Sequence, residues 1–155
     1  MIVFRLSRGK YTRDLSGKGA EMYGGRWNSK GTPLLYTSQS RALAFAEISM
    51  HIPLSIVPKD YFLITIQIPD TATILELTEV DMPLDWRLNP HSDSTQKMGD
   101  QFTDSLKHLA LRVPSAVVPG DFNYLVNPLH TMMREVTIAN VELFEFDSRF
   151  ASRGV

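Results

Sequence analysis

Arg26, Tyr36 and Glu47 follow one another at intervals of ten and eleven positions, and each falls on a different kind of element. Arg26 stands in the glycine-led loop Gly24-Gly25-Arg26-Trp27-Asn28. Tyr36 lies in the apolar strand segment Leu34-Leu35-Tyr36-Thr37-Ser38, and Glu47 in the helical segment Ala42-Leu43-Ala44-Phe45-Ala46-Glu47. A guanidinium can fork onto phosphate oxygens, an aromatic face can hold a flat base, and a carboxylate can stabilise a cationic sugar. Cleaving a glycosidic bond in an anionic dinucleotide calls for those three groups.

Each residue also has an ordinary use. Arg26 fits a solvated loop, and Trp27 beside it suits a core anchor. Tyr36 fits a strand rim. Glu47 fits the polar side of its helix, beside Arg41 or His51, although a carboxylate in so apolar a stretch is costly to bury without a partner. Ser115, next to Pro114, can face a cleft or simply close a turn.

The elements that must position these residues can be read from periodicity and punctuation. Ile2 to Leu6 predicts a first strand, and Ser7 to Lys30 a polar, glycine-rich loop. Pro33 to Thr37 predicts a second strand. Ser38 or Ser40 can cap a helix whose apolar face is Ala42, Leu43, Ala46 and Met50, stopped by Pro53. Tyr61 to Ile68 is the clearest strand, and Ile74 to Leu77 a further short one. Ser94 to Leu111 predicts a polar helix weakened by Gly99. Val113 to Val118, interrupted by Pro114, predicts a strand near an edge or a bulge. Asn127 to Arg134 predicts a loop with a helical turn, followed by a strand pair at Val136 to Ile138 and Val141 to Phe146. Strands outnumber helices without regular alternation, so the expected class is α+β with a mixed or antiparallel sheet, in one domain over residues 1–155.

Composition narrows the chemistry. The chain of 155 residues is 43% hydrophobic and 21% charged, an ordinary globular balance. Its net charge of −1 argues against direct binding of nucleic acid. With no cysteine there is no disulfide, thiolate nucleophile or cysteine-ligated metal. Glu47 and His51 are spaced i, i+4 but lack an HExxH pattern or a third ligand, so no metal site is expected. His91, His108 and His130 are scattered. Ser16-Gly17-Lys18-Gly19 is not a phosphate-binding P-loop, and no GxGxxG follows a strand. A dinucleotide here would be a substrate, not a cofactor in a Rossmann cleft. No apolar run approaches the ~20 residues that span a bilayer, and the N-terminus is not a signal peptide, which makes a cytoplasmic location the expectation.

The ordered set Gly24-Gly25-Arg26-Trp27-Asn28, Gly31, Tyr36-Thr37-Ser38, Ala46-Glu47 and Val113-Pro114-Ser115 resembles the RES family, named for its arginine, glutamate and serine. Phe4-Arg5-Leu6 and Asn127-Pro128 fit the same pattern, so the resemblance runs from residue 3 to about residue 146. It implies a fold similar to that of ADP-ribosyltransferases and a toxin acting on NAD+. It also implies a cognate antitoxin with an Xre-type DNA-binding domain, and leaves room for a homodimer. By position, Arg26 would contact the dinucleotide, Tyr36 would line the nicotinamide side, and Glu47 would be the catalytic carboxylate. Ser115 would complete the pocket, with Asn28 among the substrate-binding residues.

The reaction so implied is cleavage of the nicotinamide–ribose bond through an oxocarbenium-like transition state. Water, phosphate and a protein side chain are all acceptors for that cation, giving a glycohydrolase, a phosphorylase or an ADP-ribosyltransferase. A non-catalytic module that binds only a partner is the reading from a different class.

Overall fold

The segment with the strongest strand signal forms the middle of the fold. In a computed structural model that describes residues 1–53 and 58–153, Tyr61–Gln67 is strand β3, with Tyr61, Leu63, Ile64 and Ile66 buried. It runs antiparallel to β1, Ile2–Arg8, in continuous register from Ile2 opposite Gln67 to Arg8 opposite Tyr61. β2 is Leu35–Ser38, β4 Ile74–Glu76, β5 Ala110–Pro114, β6 Phe122–Val126 and β7 Thr137–Leu143. Among the described residues these seven strands make one sheet in the order β4-β5-β6-β2-β1-β3-β7. Only β4 and β5 are parallel, the other neighbours being antiparallel. The architecture is α+β with a mixed sheet, as expected from the sequence.

Among the described residues three α-helices accompany it: α1 (Lys18–Tyr23), α2 (Arg41–Ser49) and α3 (Asp93–Ser105). Ser40 caps α2, its hydroxyl accepting from the Leu43 N–H at 3.1 Å. Such a cap satisfies one of the orphan donors of the first turn.

Strand register sorts the sheet into two faces, because directly paired residues point the same way. Val3, Leu35, Ile64, Ile66, Ala110 and Val126 form one buried cluster. On the opposite face lie two separate clusters. Trp27, Phe102, Leu111, Val113 and Leu125 pack beneath α3 and the Trp27 loop. Leu6, Leu63 and Ala44 pack beneath α2, flanked by Phe4, Phe45, Ile48 and Phe144. Tyr36, Ser38 and Asn123 lie on this same face: Tyr36 pairs with Leu125, Ser38 with Asn123, and Phe4 with Ser38. The polar residues therefore fill the stretch of sheet between the two apolar clusters.

Several expected elements are corrected. The loop from Ser7 to Lys30 contains α1. The apolar face of α2 is Leu43 and Ala44, with Ala42 exposed and Met50 66% exposed. α3 ends at Ser105, with Leu106 in the left-handed conformation at φ 52°, so the segment from Ala110 to Leu111 belongs to a strand. β5 spans Ala110–Pro114, ending where Val113 to Val118 was expected to continue, and lies one strand in from the sheet edge, between β4 and β6. β6 was not anticipated. The two last strands are one, β7, irregular where it passes Thr65 and Ile66 of β3.

Candidate active site

One wall of the site is the Gly24–Asn28 turn, closed by reciprocal bonding of Gly25 and Asn28. Asn28 is fully buried. Its Nδ2 lies within hydrogen-bond range of the carbonyls of Ala20 (2.8 Å), Thr32 (2.9 Å) and Ser29 (3.2 Å). Its Oδ1 accepts from the Tyr36 hydroxyl at 2.8 Å, and that hydroxyl accepts from the Trp27 N–H at 2.9 Å. Gly25 has to be glycine here: a Cβ would come within 2.6 Å of the Tyr36 oxygen.

α3 fixes the turn from outside. Gln96 Nε2 donates to the carbonyls of Gly25 (3.0 Å) and Asn28 (3.1 Å), and Asp100 accepts from the Ser29 N–H at 2.9 Å. Between them on the helix, Gly99 faces the Trp27 carbonyl so closely that a Cβ would sit 1.7 Å from its oxygen. The glycine that weakens the helix by propensity is what lets the helix touch the loop.

Arg26 projects from this turn towards the segment before α3. Its Nη1 donates to the carbonyls of Trp86 and Leu88, the latter at 3.0 Å. Desolvation lowers the guanidinium pKa from its ordinary value, and the fields of Glu47 and Tyr36 oppose that fall. The guanidinium thus lies, partly dehydrated, within the field of the Glu47 carboxylate. Burial pushes the Tyr36 phenol well above its ordinary value.

The other wall carries the carboxylate. Glu47, half-buried on α2, accepts two hydrogen bonds on Oε1: from Ser115 Oγ at 2.7 Å and from Asn123 Nδ2 at 2.6 Å. Among the described residues, none donates to Oε2. Ser115 is itself fixed, its Oγ accepting from the N–H groups of Val117 (3.1 Å) and Val118 (3.0 Å). One donated and two accepted bonds exhaust a hydroxyl. Asn123 is fixed too, since Ser38 Oγ donates to its Oδ1 at 2.8 Å. Arg41, the cation that could have neutralised Glu47 along the helix, pairs with Glu142 at 2.7 Å instead.

The residues singled out from the sequence thus fall into two groups. The field of Glu47 reaches Arg26, and Ser115 bonds Glu47 directly. Tyr36 and Asn28 join each other, with both polar ends turned into the loop. Asn123 was missed. Its signal was weak, for it lies in Phe122–Val126, a strand without clear alternation, and no spacing rule links it to Glu47 seventy-six positions earlier. No group of three or more His, Cys, Asp or Glu among the described residues could hold a metal ion. No helix among them is long and apolar enough to cross a membrane.

The RES domain family model matches residues 2–147. A "Toxin Res" of Yersinia enterocolitica is 36% identical over 152 residues, covering 96% of this chain and 99% of that protein. The "Toxin Res" of Photorhabdus laumondii is 35% identical over 131 residues, 83% of each. A "Prs ADP-ribosylating toxin" of a Sphingobium species is 34% identical over 138 residues, 88% of this chain and 86% of that one. In three dimensions the chain is similar to a chain of the M. tuberculosis MbcT–MbcA toxin–antitoxin complex, with a TM-score of 0.71 at 21% identity over 97% of this chain and 86% of that one. With the family model matching residues 2–147, almost its whole length, this chain belongs to the RES family.

Proposed function

We propose that this protein is the toxin of a toxin–antitoxin pair and that it depletes NAD+ by breaking the nicotinamide–ribose bond. The observation that carries the reading is Glu47. A carboxylate held by two donors on one oxygen, whose field reaches a guanidinium, suits a cationic sugar beside an anionic diphosphate. Arg26 would hold the diphosphate by charge-assisted hydrogen bonds through the part of its fork not turned to Trp86 and Leu88. The ring of Tyr36, its hydroxyl fixed by the loop, would offer a face to the nicotinamide.

The step balances without a general acid. The C1′–N bond breaks with both electrons going to nicotinamide, which leaves neutral, and Glu47 Oε2 stabilises the ribosyl cation through its hydroxyls. An acceptor oxygen then bonds to C1′ and gives up its proton. With water or phosphate as acceptor, the product is free ADP-ribose or its phosphate ester. Transfer to a protein side chain is the second reading, favoured by the printed name of the Sphingobium relative. The relatives named as toxins and the antitoxin in the structural neighbour support a protein antitoxin as partner. The DNA contact of the pair would come from that antitoxin, which suits a net charge of −1 on this chain.

Expression in a bacterial host without the antitoxin tests the reading. Growth arrest with a fall in cellular NAD+ should occur with the wild type and with the exposed control Glu145→Ala, and should disappear with Glu47→Ala. Growth arrest that survives Glu47→Ala would instead favour a protein that acts only by binding a partner.

A further inference from the structure

We propose that Asn123 is a positioning residue that sets the orientation of the Glu47 carboxylate. This inference rests on the reaction proposed above for Glu47. Register places Ser38 and Asn123 directly opposite one another on β2 and β6, on the face that α2 covers. The Ser38 hydroxyl donates to Asn123 Oδ1 at 2.8 Å. A carbonyl so engaged leaves only the amide nitrogen to meet Glu47, and Nδ2 lies 2.6 Å from Oε1. The order Ser38–Asn123–Glu47 thus has a direction: the serine sets the amide, and the amide sets the carboxylate.

Ser115 alone would not do this. One hydrogen bond leaves a carboxylate free to pivot about the shared oxygen, whereas two donors from different strands hold its plane. Ser115 follows β5 and Asn123 lies on β6, so the two donors arrive from neighbouring strands of a rigid sheet. The second oxygen is then aimed by the sheet, and not by the flexible glutamate side chain. The charged group from another element that reaches Glu47 is Arg26. On the carboxylate's own helix Arg41 is committed to Glu142, and His51, past the helix end, is exposed.

Asn123→Asp is the informative change, because it keeps the shape and replaces the donor with a second carboxylate. Two carboxylates at this separation cannot both stay charged without cost, so one is driven to take up a proton. A shared proton would rebuild the bridge. The variant should therefore lose on the order of 10²-fold in kcat at neutral pH, with KM little changed. It should regain part of that loss as pH falls, giving a profile that rises towards acid relative to the wild type. Asn123→Ala, which cannot share a proton, should lose kcat without the acid recovery. Ser38→Ala, which frees the amide but spares its contact, should lose less than either.

The test pairs that profile with a carboxylate NMR titration of Glu47 in wild type and Asn123→Asp. A titration moved upward in the variant, with the acid recovery, is the expected result. An unmoved titration in a folded variant overturns the proposal, as does an activity loss with an unchanged pH profile. If the titration moves but the wild type leaves NAD+ intact, the positioning contact stands and the proposed reaction falls. Should Asn123→Asp not fold, Ser38→Ala decides: kcat equal to wild type overturns the directed chain.

Discussion

The two walls of the candidate site are built on different principles. The Gly24–Asn28 wall is held almost wholly by backbone groups: Asn28 bonds carbonyls, Tyr36 bonds a peptide N–H, and Gln96 bonds the turn's own carbonyls. The α2–β6 wall is held side chain to side chain, through Ser38, Asn123, Glu47 and Ser115. The first construction fixes the shape of a loop and leaves the Arg26 cation at its tip. The second fixes the direction of a single carboxylate. Changes to the loop wall should be felt in stability and binding, and changes to the carboxylate wall in turnover.

Glu47→Gln should show the largest effect, because it keeps the size of the side chain and removes the charge. A loss of about 10²–10³-fold in kcat is expected with substrate affinity largely kept. Steady-state kinetics would read this, and a parallel loss of affinity would blur the division between the walls.

Gly99→Ala should be the most damaging change on the loop side. A methyl group placed 1.7 Å from the Trp27 oxygen must drive α3 and the turn apart. The cost should be about 1–3 kcal/mol in urea unfolding, with weaker NAD+ binding as the turn shifts. Asn28→Ala comes next, for it strands the Ala20 and Thr32 carbonyls and the Tyr36 hydroxyl together. About 1–3 kcal/mol is expected in the same measurement.

Tyr36→Phe should cost about 1 kcal/mol, and it carries a pH signature. Burial raises the Tyr36 pKa, so the fold holds the neutral phenol. The stability that this lends is complete below the unfolded phenol's value of about 10, and is lost as pH rises from there through the folded value. An alkaline absorbance titration should show a late component that is absent in Tyr36→Phe. Arg41→Ala marks the bottom of the scale. Its ion pair with Glu142 has 54% and 40% exposed side chains, so its loss should change stability by less than about 1 kcal/mol and turnover hardly at all.

Much of the frame was legible because its residues obey a period. β1, β3 and the position of α2 read correctly, with Ser40 one of the two expected caps, since buried alternation and capping are local properties. α3 overran because its end carries no marker: Leu106 takes the left-handed position where glycine is usual. β6 escaped since Phe122–Val126 has no clean alternation, and with it went Asn123. Arg26 and Glu47 were visible as chemistry in unusual surroundings. That Asn28 and Tyr36 bond one another, or that Gly99 serves the loop, depends on contacts made after the chain has folded.

The most direct test is to incubate purified wild type and Glu47→Gln with NAD+ and identify the products by mass, in water, in phosphate and with candidate proteins. The account predicts free nicotinamide from the wild type and almost none from Glu47→Gln, with the mass of the ribosyl product naming the acceptor. Nicotinamide released equally by both proteins would contradict the role of Glu47. Intact NAD+ with the wild type under every condition would contradict the reaction itself.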